Sequence, residues 1–173
     1  MRRNIFLLLT TLFFAVTSCE NANNPDPGVI GELDKQFILN AADDALFQVN
    51  AGQVAADGTT QKAIRDFGEE MTEDHTQVGQ ELQKLAAARQ IQLPTTLSDE
   101  RQQQLDSLSM RSGAGLDTLY ANQMVATHER IVHTLEIEGT SGKDAELKQW
   151  ASARLPVARQ YEQRARALRD SLN

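Results

Sequence analysis

Thiols, aromatic rings and basic charge are all scarce in this 173-residue chain. Cys19 is the only cysteine, so a disulfide within the chain is impossible. Aromatic residues make up 5% of the sequence, and no β-branched or aromatic run alternates with period two, which leaves no credible strand. Lys and Arg number 17 against 24 Asp and Glu. That balance argues against nucleic acid, whose affinity depends on basic phosphate contacts, and it disfavours an anionic membrane as a binding surface. No internal repeat, nucleophile with a base beside it, phosphate loop or zinc-type cysteine spacing occurs.

What is present begins with an address. Arg2-Arg3, the apolar run Ile5 to Val16 broken only by Thr10 and Thr11, and then small residues make the three-part layout of a secretory signal. The run is shorter than the roughly 20 apolar residues of a membrane span. It ends in Val16-Thr17-Ser18-Cys19, which resembles a bacterial lipobox. We therefore expect residues 1–18 to be a lipoprotein signal peptide and Cys19 to carry the lipid, with the domain held outside the cytoplasm in the cell envelope. A diacyl or triacyl anchor meets the need for more than one chain in stable attachment. Loss of Arg2 and Arg3 leaves 15 basic residues against the same 24 acidic ones, a formal charge of −9.

Residues 20–32 are polar, with Pro25, Pro27, Gly28 and Gly31, and read as a flexible tether after the lipidated cysteine. At about 3.4 Å per residue it reaches at most about 40 Å. From 33 to 172 the apolar residues follow a helical period with abundant Ala, Leu, Gln, Glu and Arg. The pattern predicts an all-α domain, an antiparallel four-helix bundle with a short extra helix between helices two and three. Helix one runs from Asp34, a candidate cap, to Asp57, with Gly58 as its stop; helix two runs from Thr60 to Gln90. Ser98-Asp99-Glu100 opens the short helix, which ends near Met110, and Ser112-Gly113-Ala114-Gly115 then breaks that helix. Helix three spans Leu116 to Glu138, Gly139 to Gly142 turns, and helix four spans Lys143 to Ser171 with a kink expected at Pro156.

Steps of three and four give each helix a core stripe, and the informative residues are the polar ones that fall on it. Helix two reads Ile64, Phe67, Met71, His75, Val78, Leu82, Leu85; helix three reads Ala121, Met124, His128, Ile131, Leu135. Gln48 interrupts the stripe of helix one and Tyr161 that of helix four. One central polar group per helix is the layout of carboxylate-bridged metal proteins, which use Glu on two helices and Glu-x-x-His on two others. Those carboxylates are missing, since Thr72 and Val125 stand three residues before the two histidines. The set Gln48, His75, His128 and Tyr161 is thus either a ligand site or a group of buried polar residues that satisfy one another and fix register. No cofactor is expected; the one that the residues allow is a transition metal at His75 and His128.

Counting rises of about 1.5 Å per residue from the Gly58 and Ser141 turns, with both turns at one end, brings Gln48 level with His128 and His75 level with Tyr161. Two polar layers are expected. His133, turned about 140° from His128, is expected at the surface, as are Arg154, Arg159, Arg164, Arg166 and Arg169, a basic stretch that could meet a protein partner.

Phe67-x3-Met71-x2-Asp74-His75, Ser112-Gly113-x3-Asp117-x2-Tyr120, His128 and Leu155-Pro156 together resemble the exported bacterial family called domain of unknown function 4142, over residues 34–170. The resemblance implies a ferritin-like four-helix bundle in the bacterial envelope, with interest in His75 and His128 and no established activity. It also implies two departures, Gln48 where the family carries a helix-one Glu and Tyr161 where it carries a helix-four His, both of which remove metal-ligand capacity. The expected function is a non-catalytic binding or stress-related envelope module. The alternative is a metal-binding or oxidoreductase ferritin-like protein that uses His75 and His128.

Overall fold

A computed structural model describes residues 30–172 of the chain. The signal segment, Cys19 and the tether as far as residue 29 lie outside the described residues. The rest is helical: α1 Glu32–Gly58, α2 Lys62–Ala88, α3 Asp99–Ser109, α4 Gly113–Ser141 and α5 Ala145–Ser171, with no strand among the described residues. None of these helices is long and apolar enough to cross a membrane.

The helix ends differ from expectation in instructive ways. Asp34 does not cap α1, which starts two residues earlier; it is buried inside the first turn, and its Oδ1 accepts from the backbone N–H groups of Lys143 (2.8 Å) and Asp144 (3.0 Å). The short helix does end, at Ser109, but Gly113 to Gly115 already form the first turn of α4, which also runs on through Gly139 to Ser141. Ser98 does open α3, where its hydroxyl accepts from Arg101 N and donates to Asp43 at 2.7 Å. Asp144 caps α5 by accepting from Glu146 N and Leu147 N. The α5 helix continues through Pro156, which is exposed beside the equally exposed Ser152 whose carbonyl its ring deprives of a partner.

Two polar ties show which ends meet. At one end Asp34 holds the α4–α5 turn, and Arg89 at the close of α2 bonds Asp144 at 2.6 and 2.8 Å. At the other the Thr59 hydroxyl donates to Asp117 Oδ1 at 2.5 Å, so the α1–α2 turn lies against the start of α4. The α1–α2 and α4–α5 turns are therefore at opposite ends, contrary to the premise of the level count. It follows that α1 opposes α4 in direction, and α2 is parallel to α4.

The α1–α2 contact is close because Gly52 and Gly68 face each other; a Cβ on either would strike the other's carbonyl oxygen. The apolar interior has two halves. One gathers Phe47, Phe67, Met71, Tyr120 and Met124; the other gathers Phe37, Ile38, Val78, Leu82 and Leu147. Burial of each large side chain stabilises by about 1.5–3 kcal/mol. The seam between halves falls at His75 on α2, between Met71 and Val78, and at His128 on α4, between Val125 and Val132; on α1 the halves change between Ala45 and Phe47, next to Gln48.

Candidate functional site

The polar seam is one cluster and not two layers. The His75 and His128 ring centroids are 6.1 Å apart, and Tyr161 lies 6.3 Å from the first and 5.7 Å from the second. Gln48 Nε2 is 3.2 Å from His128 Nε2. The expected Gln48–His128 pair is present, but Tyr161 lies against both histidines instead of with His75 alone. With the turns at opposite ends, the levels converge: Asp34 to Gln48, Arg89 to His75 and Gly142 to His128 are each 14 residues, and Asp144 to Tyr161 is 17. Helices that share one end therefore bring all four side chains to nearly the same depth.

The protonation of the imidazoles follows from their neighbours. His75 Nδ1 lies 3.1 Å from the Met71 carbonyl and His128 Nδ1 2.9 Å from the Met124 carbonyl, each one helical turn back. A carbonyl only accepts, so both Nδ1 atoms carry the proton. Burial, together with the proximity of His128, pushes His75 down to about 3; burial pushes His128 down to about 4. Both rings are neutral near pH 7 and present Nε2 as a lone pair. At His128 that lone pair receives the Gln48 amide N–H, while no described residue donates to Nε2 of His75. Gln48 Oε1 is buried without a donor. Burial, then the nearby Asp74 and Glu70, raises Tyr161 to about 12, so its phenol stays protonated and is no anionic ligand.

Beside the seam lies a cavity of about 50 Å³ lined by His75, His128, Tyr161, Asp44, Trp150 and Arg154, among others. A water requires about 10–15 Å³ of such space. The room suits an ion, a few waters or a molecule of a few atoms.

Around this site, Asp74 lies 3.8 Å from His75 Nδ1 but gives its charge to Arg154 at 2.5 Å. His133 is exposed as expected. The arginines of α5 are not a free basic face. Arg154 pairs with Asp74, Arg159 with Glu136, Arg164 with Glu70, Arg166 with Glu129 and Glu162, and Arg169 with Asp170. Arg154, Arg166 and Arg169 are also half-buried. Each carboxylate stands where an arginine of α5 reaches it, which neutralises the stretch.

Two buried charge clusters escaped the sequence reading. Asp44 is held by Arg101 of α3 and by Arg130 at 2.5 Å, and the Arg101 guanidinium covers the Phe47 ring at 4.4 Å. Asp34 and Glu138 are both almost inaccessible, and Asp34 Oδ2 and both Glu138 oxygens have no donor. Asp34 and Glu138 each extend a stripe by one step, four before Ile38 and three after Leu135, which was the available signal.

Among the described residues no group of three or more His, Cys, Asp or Glu side chains is placed to hold a metal. The carboxylate-bridged arrangement is therefore absent from this seam. Comparison with curated proteins and with solved structures finds no match. One family model does match, over residues 20–168, and the chain accordingly belongs to the family described as domain of unknown function (DUF4142).

Proposed function

We propose that this chain is a non-catalytic binding or stress-related module of the bacterial cell envelope, anchored through a lipid on Cys19. Its long helices form an antiparallel four-helix bundle of the ferritin-like kind around one ligand site. The single observation that carries this reading is the state of the imidazoles: two buried neutral rings, locked at Nδ1 by backbone carbonyls, that line one small cavity, with no described residue donating to Nε2 of His75. The lone pair at that atom is left to whatever occupies the cavity. The absence of a carboxylate on the seam removes the usual base and bridging ligands of a di-metal oxidase, which favours binding over turnover. The signal-like residues 1–18, the lipobox-like Val16 to Cys19 and the polar tether support the address. The acidic balance supports the absence of nucleic acid from its partners.

A second reading, a transition metal shared by His75 and His128, draws support from their 6.1 Å centroid separation. The test is native mass spectrometry of the full chain, tag-free and taken from its own membrane in detergent. A mass present in the native state, released on denaturation and lost in His75→Gln and His128→Gln, is the expected result. Identical native and denatured masses would sink the binding reading. Turnover of hydrogen peroxide or of ferrous iron that vanishes in His75→Ala would replace it with an oxidoreductase.

A further inference from the structure

The polar groups in the wall of the cavity divide into those already engaged and a small remainder. Trp150 donates its indole N–H to Glu81 at 2.8 Å, the Thr134 hydroxyl donates to the Arg130 carbonyl at 2.8 Å, and the Tyr161 phenol hydrogen-bonds the Glu70 carboxylate. Arg101 and Arg130 both bond Oδ1 of Asp44, and Arg154 bonds Asp74 through one nitrogen. Left over are two acceptors to which no described residue donates, His75 Nε2 and Asp44 Oδ2, and the N–H groups of Arg154 beyond the one that Asp74 takes. The rest of the wall is hydrocarbon, with Phe37, Val78, Ile131 and Leu135 in it. We propose that this cavity takes one uncharged hydroxyl compound of about three or four non-hydrogen atoms, its O–H donating to His75 Nε2 and its carbon body lying on the hydrocarbon wall. The proposal rests on the binding reading above and gives its ligand a chemical class.

Three arguments select this class. The first is size: one water needs about 10–15 Å³ of such space, so about 50 Å³ holds about three or four non-hydrogen atoms. Charge is the second. A cation would meet Arg154 while Asp44 already faces two arginines, and an anion would meet Asp44 and have to draw Arg154 away from Asp74. Either ion would be buried without a partner of its own, which is costly. Polarity is the third, and it selects the hydroxyl. Its hydrogen answers the His75 lone pair, its oxygen suits the remaining N–H groups of Arg154, and a short carbon body prefers the apolar wall to water. An ether or a carbonyl brings no donor. Asp44 and Thr134 also line an outer polar pocket with Ser98, Arg101 and Arg130, which places the cavity one layer of side chains from solvent on the face made by α1, α3 and α4.

The test uses the tag-free full chain in detergent, with nitrogen-15 in its histidine rings, and two isomeric probes, ethanol and dimethyl ether. It is run at pH 8, where Asp44, held up at about 7 by burial against the pull of Arg130, is ionised and can only accept. Ethanol should shift the His75 Nε2 resonance saturably and leave that of His128, already bonded to Gln48, in place. Dimethyl ether has the same atoms but no donor, and should bind at least about fivefold more weakly, the worth of one hydrogen bond. Ala41→Val and Ala158→Val each put two methyl groups into the cavity without touching a polar atom, and either should abolish the ethanol shift in a chain that keeps its helices. Equal affinity for the two isomers would overturn the proposal and leave an apolar hole. So would an ethanol shift that persists in a folded valine variant; where neither variant folds, the isomers decide alone. Failure of ethanol to bind, beside a native adduct that is charged or larger and is lost in the histidine variants, would overturn the hydroxyl class while leaving the binding reading intact. Absence of both ethanol binding and any native adduct would overturn both.

Discussion

Gln48 and His128 meet across the interior with their Nε2 atoms 3.2 Å apart, the amide N–H donating to the imidazole lone pair. The direction of that bond is set two residues away in space: His128 Nδ1–H is committed to the Met124 carbonyl, so Nε2 has no proton to give. Gln48→Glu would replace the donor with a carboxylate that has none. The imidazole must then take a proton to keep the contact. His128 should rise from about 4 by about 1–3 pH units, the usual effect of an adjacent carboxylate. Histidine ring NMR shifts followed against pH measure this directly, and an unmoved His128 titration would mean that residue 48 does not govern the ring.

Acid should unfold the chain through the same two rings. Their folded-state values, about 3 and about 4, lie below the ordinary 6.5. The stability they contribute is whole above pH 6.5 and is lost as pH falls toward 4, because the unfolded state binds protons that the folded state refuses. Each ring should cost about 1.4 kcal/mol per pH unit in that window. Urea midpoints between pH 7 and 4.5 should fall less steeply in His75→Gln and in His128→Gln than in the parent. Equal slopes would show that these rings charge without unfolding.

The helices and their core faces were legible in the sequence because period-3.6 patterning is a local property. Every residue of the helix-two stripe from Ile64 to Leu85 is buried. Depth was not legible, because it depends on which ends of the helices meet. That choice rests on Asp34 reaching the α4–α5 turn and Thr59 reaching Asp117, contacts 109 and 58 residues apart along the chain. The same long-range ties hid the charge clusters. Asp34, Asp117 and Glu138 all continue a stripe at the correct step, but an acidic residue at the end of a stripe reads as the place where the stripe stops.

The short helix α3 depends on one buried arginine. Arg101 is 2% exposed; it bonds Asp44, Gln104 at 2.6 Å and Thr127 at 3.2 Å, and covers Phe47. Arg101→Ala would leave Asp44 with Arg130 alone, whose side chain is 41% exposed, and would uncover Phe47. Breaking a buried pair from one side costs about 3 kcal/mol or more. Amide hydrogen exchange should accelerate across residues 99–109 while α2 keeps its protection. Uniform acceleration in every helix would instead make α3 part of one cooperative unit.

The contribution of Glu138 itself to stability should be smaller in mild alkali than in mild acid. Burial first, then Asp34 and Asp144, against a small opposing effect of Lys148, holds its carboxyl up at about 7. A cation partner is missing, and Gly142, where a Cβ would collide with the carboxyl, leaves space for it and nothing else. A proton on Glu138 can be donated to the orphaned Asp34 Oδ2; without it two buried carboxylates confront each other. The raised value means that stability is whole below the unfolded-state value of 4.5 and is lost as pH climbs through about 7, since the folded state keeps a proton that the unfolded state has released. Glu138→Gln offers an amide N–H in place of that proton at every pH. The variant should match the parent in urea at pH 4.5 and exceed it at pH 8, with the crossover between the two values. A variant that is weaker at pH 8 would mean that Glu138 is ionised in the folded chain and satisfied by something other than a shared proton.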